Sequence, residues 1–145
     1  MSYNDFMVFL LRTPLHGLFS KGTMLVTVTG RKTGKNITLP VSYDETGGGL
    51  WVLSRRDRMW WRNLQNGAEA VLRLRGRDVR ATAELVLDEE AVRVRLGDYL
   101  SRYPRLAKYL NVGNKDGAFV AEDLAREAKN RVFVRFDVLG SAPKA

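Results

Sequence analysis

The stretch from Thr23 to Tyr43 constrains the fold more than any other. "TMLVTVT" (23–29) and "NITLPVSY" (36–43) are rich in apolar and β-branched residues, and only "GRKTGK" separates them. Successive side chains on a strand point to opposite faces, so such runs suit strands. A connection this short cannot cross over to a parallel neighbour, so the two runs must fold back as an antiparallel pair. Pro40 offers no N–H to a ladder, which places the second run on a sheet edge or at a bulge.

The same grammar continues along the chain. "DETGGG" reads as a turn and "LWVLS" (50–54) as a third strand. "AVLRLRG" and "RDVRATAELVL" make a hairpin about Gly76, and "RVFVRFDVL" is the closing strand. Helices are expected over residues 3–12, where Phe6, Phe9 and Leu10 share a face, and in a short second helix opened by Thr13-Pro14. A helix over 57–65 takes Asp57 as its cap. Asp88 caps another, "EEAVRVRLGDYLSRY", which Pro104 ends, and short helices fill 105–128. Strands joined by tight turns, without regular helix alternation, exclude a doubly wound sheet. The expectation is a mainly β (α+β) domain over residues 1–145: a small barrel of six to seven mostly antiparallel strands with flanking helices.

The chain is 145 residues long and 45% hydrophobic, enough to bury a core. It has no cysteine, which excludes disulfides, thiolate nucleophiles and cysteine metal sites, and it fits a reducing, cytoplasmic setting. "FMVFLL" near the start is too short to span a bilayer and carries no signal-peptide pattern. Peripheral membrane contact through the N-terminal helix stays open.

The net charge of +8 calls for an anionic partner. Two basic clusters stand out. In the first, Arg31, Lys32 and Lys35 flank Thr33 beside Gly30 and Gly34. Glycines let the backbone turn and present its amides, and the cations add charge, so the loop suits a phosphate or carboxylate. A solvated hairpin tip explains it equally well. The spacing is not that of a nucleotide P-loop. The second cluster, "SRRDRMWWRNL" (54–64), sets Arg55, Arg56, Arg58 and Arg62 around Trp60 and Trp61. Tryptophan faces can cover a flat ring while arginines pair with its anionic tail. His16 is the single histidine. With no HExxH, no paired carboxylates and no GxSxG elbow, neither a metal site nor a hydrolase triad is expected. No nucleic-acid motif accompanies the charge. If the chain is an enzyme, a borrowed cofactor carries its reaction.

These two clusters carry a resemblance. "LVTVTGRKTGKNITLPV" resembles the GRKSG(K/R)xRxxP signature of the deazaflavin-dependent nitroreductase family, "WWRNL" its WYxNL segment, and "LRGRDVRATAELV" the hairpin after it. The resemblance implies a split β-barrel of the FMN-binding type. It also implies coenzyme F420, a deazaflavin with a phosphate and an oligoglutamate tail, with FMN as second choice. The activity implied is hydride transfer from the reduced cofactor to a quinone-like or other activated unsaturated acceptor. Carried over, Arg31, Lys32, Thr33, Gly34 and Lys35 would meet the phosphate and tail, joined by Arg55 and Arg58. Pro40 and Val41 would lie under the ring, Ser54 near its reactive edge as the catalytic candidate, and Trp60 and Asn63 at the pocket wall. Ile37 stands where the family has an arginine, which removes one anion contact. Related barrels hold flavin, heme or fatty acids, so a non-enzymatic carrier is the alternative. The expected partner is a small-molecule acceptor, not nucleic acid, and the expected assembly is a monomer or homodimer.

Overall fold

The computed structural model describes residues 22–141. The expectations for residues 3–12, Thr13-Pro14 and His16 fall outside the described residues. The described chain forms two compact units, one from residues 22–52, 59–85 and 134–141, the other from 53–58 and 86–133.

Most of the first unit is a seven-stranded sheet, three of whose strands have an end among the residues of the second. Its strands are β1 (Thr23–Thr29), β2 (Asn36–Ser42), β3 (Asp44–Thr46), β4 (Gly49–Arg55), β5 (Glu69–Leu74), β6 (Arg77–Val86) and β9 (Arg131–Ser141). Their order across the sheet is β2-β1-β5-β6-β9-β4-β3. The hairpin pairs β1/β2, β3/β4 and β5/β6 are antiparallel, as is β1/β5. The two edge strands, β2 and β3, are separated in the chain by Tyr43 alone. Two residues reach at most about 7 Å, so one continuous segment carries both edges and the sheet must curl round on itself. This is the mostly antiparallel, split-barrel type of sheet with flanking helices.

Burial follows from that order. On inner strand β1, Met24, Leu25, Val26 and Val28 are all buried, so both of its faces are covered. Each such side chain contributes about 1.5–3 kcal/mol relative to exposure. Edge strand β2 is exposed or half-buried throughout, and Pro40 lies on it opposite Leu25. The sheet edge thus accommodates its missing N–H. The β5–β6 turn has Arg75 at φ 50° and Gly76 at φ 80°. Two left-handed residues give the hairpin turn whose twist matches its strands.

Two local expectations are corrected along this stretch of the chain. "DETGGG" is not all turn: Asp44 pairs with Trp51 and Thr46 with Gly49. Only Gly47 and Gly48, at φ 61° and 79°, make the bend. Nor does Asp57 cap a helix. Its carboxylate accepts from Arg55 at 2.7 Å, and helical structure starts at Trp60. That structure is a 3-10 segment, Trp60–Gly67, interrupted by extended Gln65 and left-handed Asn66.

The second unit holds helices α1 (Glu89–Arg102), α2 (Leu106–Tyr109) and α3 (Ala121–Asn130). Asp88 caps α1 as expected, its Oδ2 accepting from the Ala91 N–H at 3.0 Å. Val92, Leu96, Leu100, Leu124, Ala128 and Phe133 are buried in this unit. A small hairpin, β7 (Asn114–Lys115) with β8 (Ala118–Phe119), interrupts what was expected to be helical. Asp116 and Gly117 turn it at φ 54° and 82°.

Candidate functional site

The β1–β2 hairpin puts "GRKTGK" at its tip. The neck closes at the Thr29–Asn36 pair, where Thr29 Oγ1 donates to Asn36 Oδ1 at 3.3 Å. Inside the loop, Gly30 N–H donates to Lys35 O and Gly34 N–H to Gly30 O, both at 2.8 Å. Lys35 N–H donates to Thr33 Oγ1 at 3.2 Å. Gly34 sits at φ 71°, a conformation that favours glycine. Gly30 is needed for space, because a Cβ there would come within 2.9 Å of Thr33 Oγ1.

The loop therefore consumes the N–H groups of both its glycines, contrary to the expectation that glycines would present them. The Arg31 N–H is engaged too, donating to Asn63 Oδ1 at 3.0 Å. Any anion affinity must come mainly from the side chains. Those side chains are exposed. Among the described residues no carboxylate pairs with Lys32 or Lys35. The Arg31 guanidinium donates to the neutral Gln65 amide at 2.7 Å. This is unusual in a chain where Arg73, Arg75, Arg93, Arg102 and Arg135 each pair with a carboxylate. The donor set fits an anionic group such as a phosphate or carboxylate.

The 3-10 segment stands beside this loop. Asn63 bridges the two: its Oδ1 takes the Arg31 N–H, and its Nδ2 donates to Trp60 O at 3.2 Å. Trp60 and Trp61 are both buried, at 7% and 3% exposure, so neither presents an open face. Arg62 stacks on Trp61 at 4.7 Å. Pro40 and Val41 lie on β2, paired with Leu25 and Met24. So the first unit holds Arg31, Lys32, Thr33, Gly34, Lys35, Pro40, Val41, Trp60 and Asn63.

Ser54, Arg55 and Arg58 belong to the second unit. Ser54 is buried, and its hydroxyl donates to Arg55 O at 3.3 Å. Arg55 is tied to Asp57. Arg56, between them in the chain, donates from its guanidinium to Leu87 O, Lys129 O, Arg131 O and Ala128 O at 2.8–3.4 Å. Those of Ala128, Lys129 and Arg131 lie at and just beyond the end of α3, where a cation also meets the negative end of the helix dipole, and that of Leu87 lies just ahead of α1. Arg56 is a structural pin. Among the described residues, no three of His, Cys, Asp and Glu gather to hold a metal ion. No described helix is long and apolar enough to cross a membrane.

Sequence reasoning missed Gln65 and misread Arg56, which it grouped with the cations that could face an anion. Gln65 carries no motif, and the carbonyls that Arg56 holds lie 31 to 75 positions away.

The model of F420H(2)-dependent quinone reductases matches residues 13–109. No curated protein matches the chain significantly. Among solved structures, one described as a domain-swapped dimer aligns with a TM-score of 0.51 at 18% identity, over 91% of this chain and 94% of that one. The general stress FMN/FAD binding protein from the phytopathogen Xanthomonas citri aligns with a TM-score of 0.51 at 14% identity, over 87% and 84%. At these identities the likeness is one of fold.

Proposed function

The chain belongs to the F420H(2)-dependent quinone reductase family, and we propose that it is a deazaflavin-dependent oxidoreductase that passes a hydride from reduced coenzyme F420 to a quinone-like or similarly activated acceptor. The observation that carries this reading is the exposed loop trio Arg31, Lys32 and Lys35, which no carboxylate neutralises among the described residues. Bound and reduced, the deazaflavin supplies a hydride; with a proton from solvent, a quinone becomes a hydroquinone. The protein's share is to bind and orient. Lys32 and Lys35 attract the phosphate and carboxylates as point charges, while the planar Arg31 fork adds direction. Pro40 and Val41 offer β2 as a floor for a flat ring, and Asn63 ties the loop to the Trp60 turn.

Ser54, Arg55 and Arg58 enter this proposal on the family resemblance alone. A hydroxyl beside developing negative charge stabilises it, so Ser54→Ala should lower turnover more than affinity. Cytoplasmic action belongs to the same reading. Of the two assembly states, the domain-swapped dimer of similar fold favours the homodimer, and sedimentation decides.

The test is a titration of the purified protein with coenzyme F420 and, separately, FMN, followed by acceptor-dependent oxidation of the reduced cofactor. F420 binding with quinone-dependent oxidation is the expected result. Binding of FMN instead would change the cofactor. Binding without turnover across a panel of acceptors would make the protein a carrier.

A further inference from the structure

Arg31 is held in a way that leaves its charge intact. Its N–H donates to Asn63 Oδ1 at 3.0 Å and its Nη1 to Gln65 Oε1 at 2.7 Å. Both acceptors are uncharged amides. Arginine does not deprotonate in proteins, so its charge is cancelled only by a paired anion. Elsewhere in the same unit Arg73 has Asp78, Arg75 has Glu45 and Arg135 has Asp137. The amide partners also come from a special place. The 3-10 segment breaks at Gln65, which is extended (φ −64°, ψ 154°), and Asn66 turns left-handed (φ 64°).

We propose that Asn63 and Gln65 are positioning residues, a neutral brace that fixes the Arg31 backbone and guanidinium without neutralising the cation, so that its full charge serves the anionic part of the ligand. Asn63 also couples that anion point to the Trp60 turn, because its Nδ2 is bonded to Trp60 O. This inference rests on the reading of the loop as the place for the cofactor's anionic groups.

Gln65→Glu keeps the shape of the brace and supplies an internal carboxylate; Gln65→Leu removes the acceptor and adds no charge. Titration with coenzyme F420 at low salt should show affinity falling about tenfold or more in Gln65→Glu and only about threefold in Gln65→Leu. The salt dependence of binding should become shallower in Gln65→Glu alone, because one cation is already paired. A merely structural Gln65 would make the two variants equal, and equal affinities, or no loss in Gln65→Glu, overturn the proposal. A ligand-free measurement tests the other half. Hydrogen exchange of the Arg31 amide should accelerate in Asn63→Leu and stay slow in Asn63→Asp, which keeps the acceptor oxygen; unchanged exchange in Asn63→Leu removes Asn63 from the brace. If the wild type does not bind F420, the cofactor assignment fails, and the brace is judged with inorganic pyrophosphate. Pyrophosphate binding that Gln65→Glu weakens upholds it, and a wild-type loop that binds no pyrophosphate rejects it.

Discussion

The tip Gly30–Lys35 and the segment Arg55–Arg58 are both dense in cations, yet the structure uses them in opposite ways. In the second, Arg55 is tied to Asp57, and Arg56 is spent on main-chain carbonyls, of Leu87 and of the end of α3. In the first, Lys32 and Lys35 meet no carboxylate among the described residues, and Arg31 meets only an amide. Cation density alone therefore says little about ligand binding. What separates a binding cluster from a structural one is the acceptor each cation already has: a carboxylate cancels it, a set of carbonyls immobilises it, and an amide only steers it.

The largest effect that would break this contrast is at Arg56. Arg56→Met leaves carbonyls at the end of α3 without their donor, and hydrogen bonds to a charged group are worth about 1.5–3 kcal/mol each, without adding in full. A loss of about 2–4 kcal/mol is expected in urea unfolding. A loss under about 1 kcal/mol would mean that water replaces the guanidinium readily and that Arg56 is no pin.

Next in size is the double change Lys32→Gln, Lys35→Gln. Each cation near a phosphate or carboxylate adds roughly 0.5–3 kcal/mol, less where water screens it. F420 affinity should fall severalfold or more and lose part of its salt dependence, while the melting temperature of the ligand-free protein hardly moves, since neither lysine holds the fold together. Undiminished affinity at low salt would make the tip a plain turn and erase the contrast from the other side.

The same contrast explains what the sequence disclosed. Strands showed themselves where β-branched runs met glycine turns, as in 23–43 and about Gly76, and Asp88 was legible as a cap because the residue that caps and the N–H it accepts are three positions apart. β3 was hidden because "DET" has no apolar pattern, and its pairing comes from the strand it returns on. Two-residue β7 and β8 are too short for periodicity to register. Asp57 misled because its carboxylate had a nearer claimant in Arg55. The loop cations were legible as a cluster, but their availability was not. That depends on Gln65, brought to the loop by a break in a 3-10 segment, and long-range neutral contacts leave no mark in composition or spacing.

A smaller effect probes the loop's shape apart from its charge. Gly30→Ala would put a Cβ within 2.9 Å of Thr33 Oγ1 and 3.3 Å of Lys35 O. The hydroxyl cannot retreat without giving up the Lys35 N–H it accepts, so the tip must shift. A cost of about 1–2 kcal/mol is expected, of the size found for tight contacts. F420 affinity should fall as well, although no charge has changed. If stability drops while affinity holds, geometry matters to the turn and not to the anion.

The smallest effect lies on α1, where Glu90 and Arg93 form an exposed pair. A hydrogen bond from Arg93 holds the Glu90 carboxyl below the usual glutamate range, against an opposing effect of desolvation. A carboxyl whose folded pKa is depressed contributes stability that is fully present above its unfolded value, about 4.3, and is lost as pH falls through the lower folded value. Urea midpoints followed from pH 6 to pH 3 should therefore drop slightly more for the wild type than for Glu90→Gln, with the two curves converging at the acid end. The difference should shrink further in salt, because both partners face water. Here, as beside Arg75, a carboxylate cancels an arginine at the surface, where the pairing is worth little to the fold. Curves that stay parallel to pH 3 would show that the pair contributes nothing to stability. Partner type would then still decide whether a cation is available to a ligand, while burial would decide how much its pairing stabilises the fold.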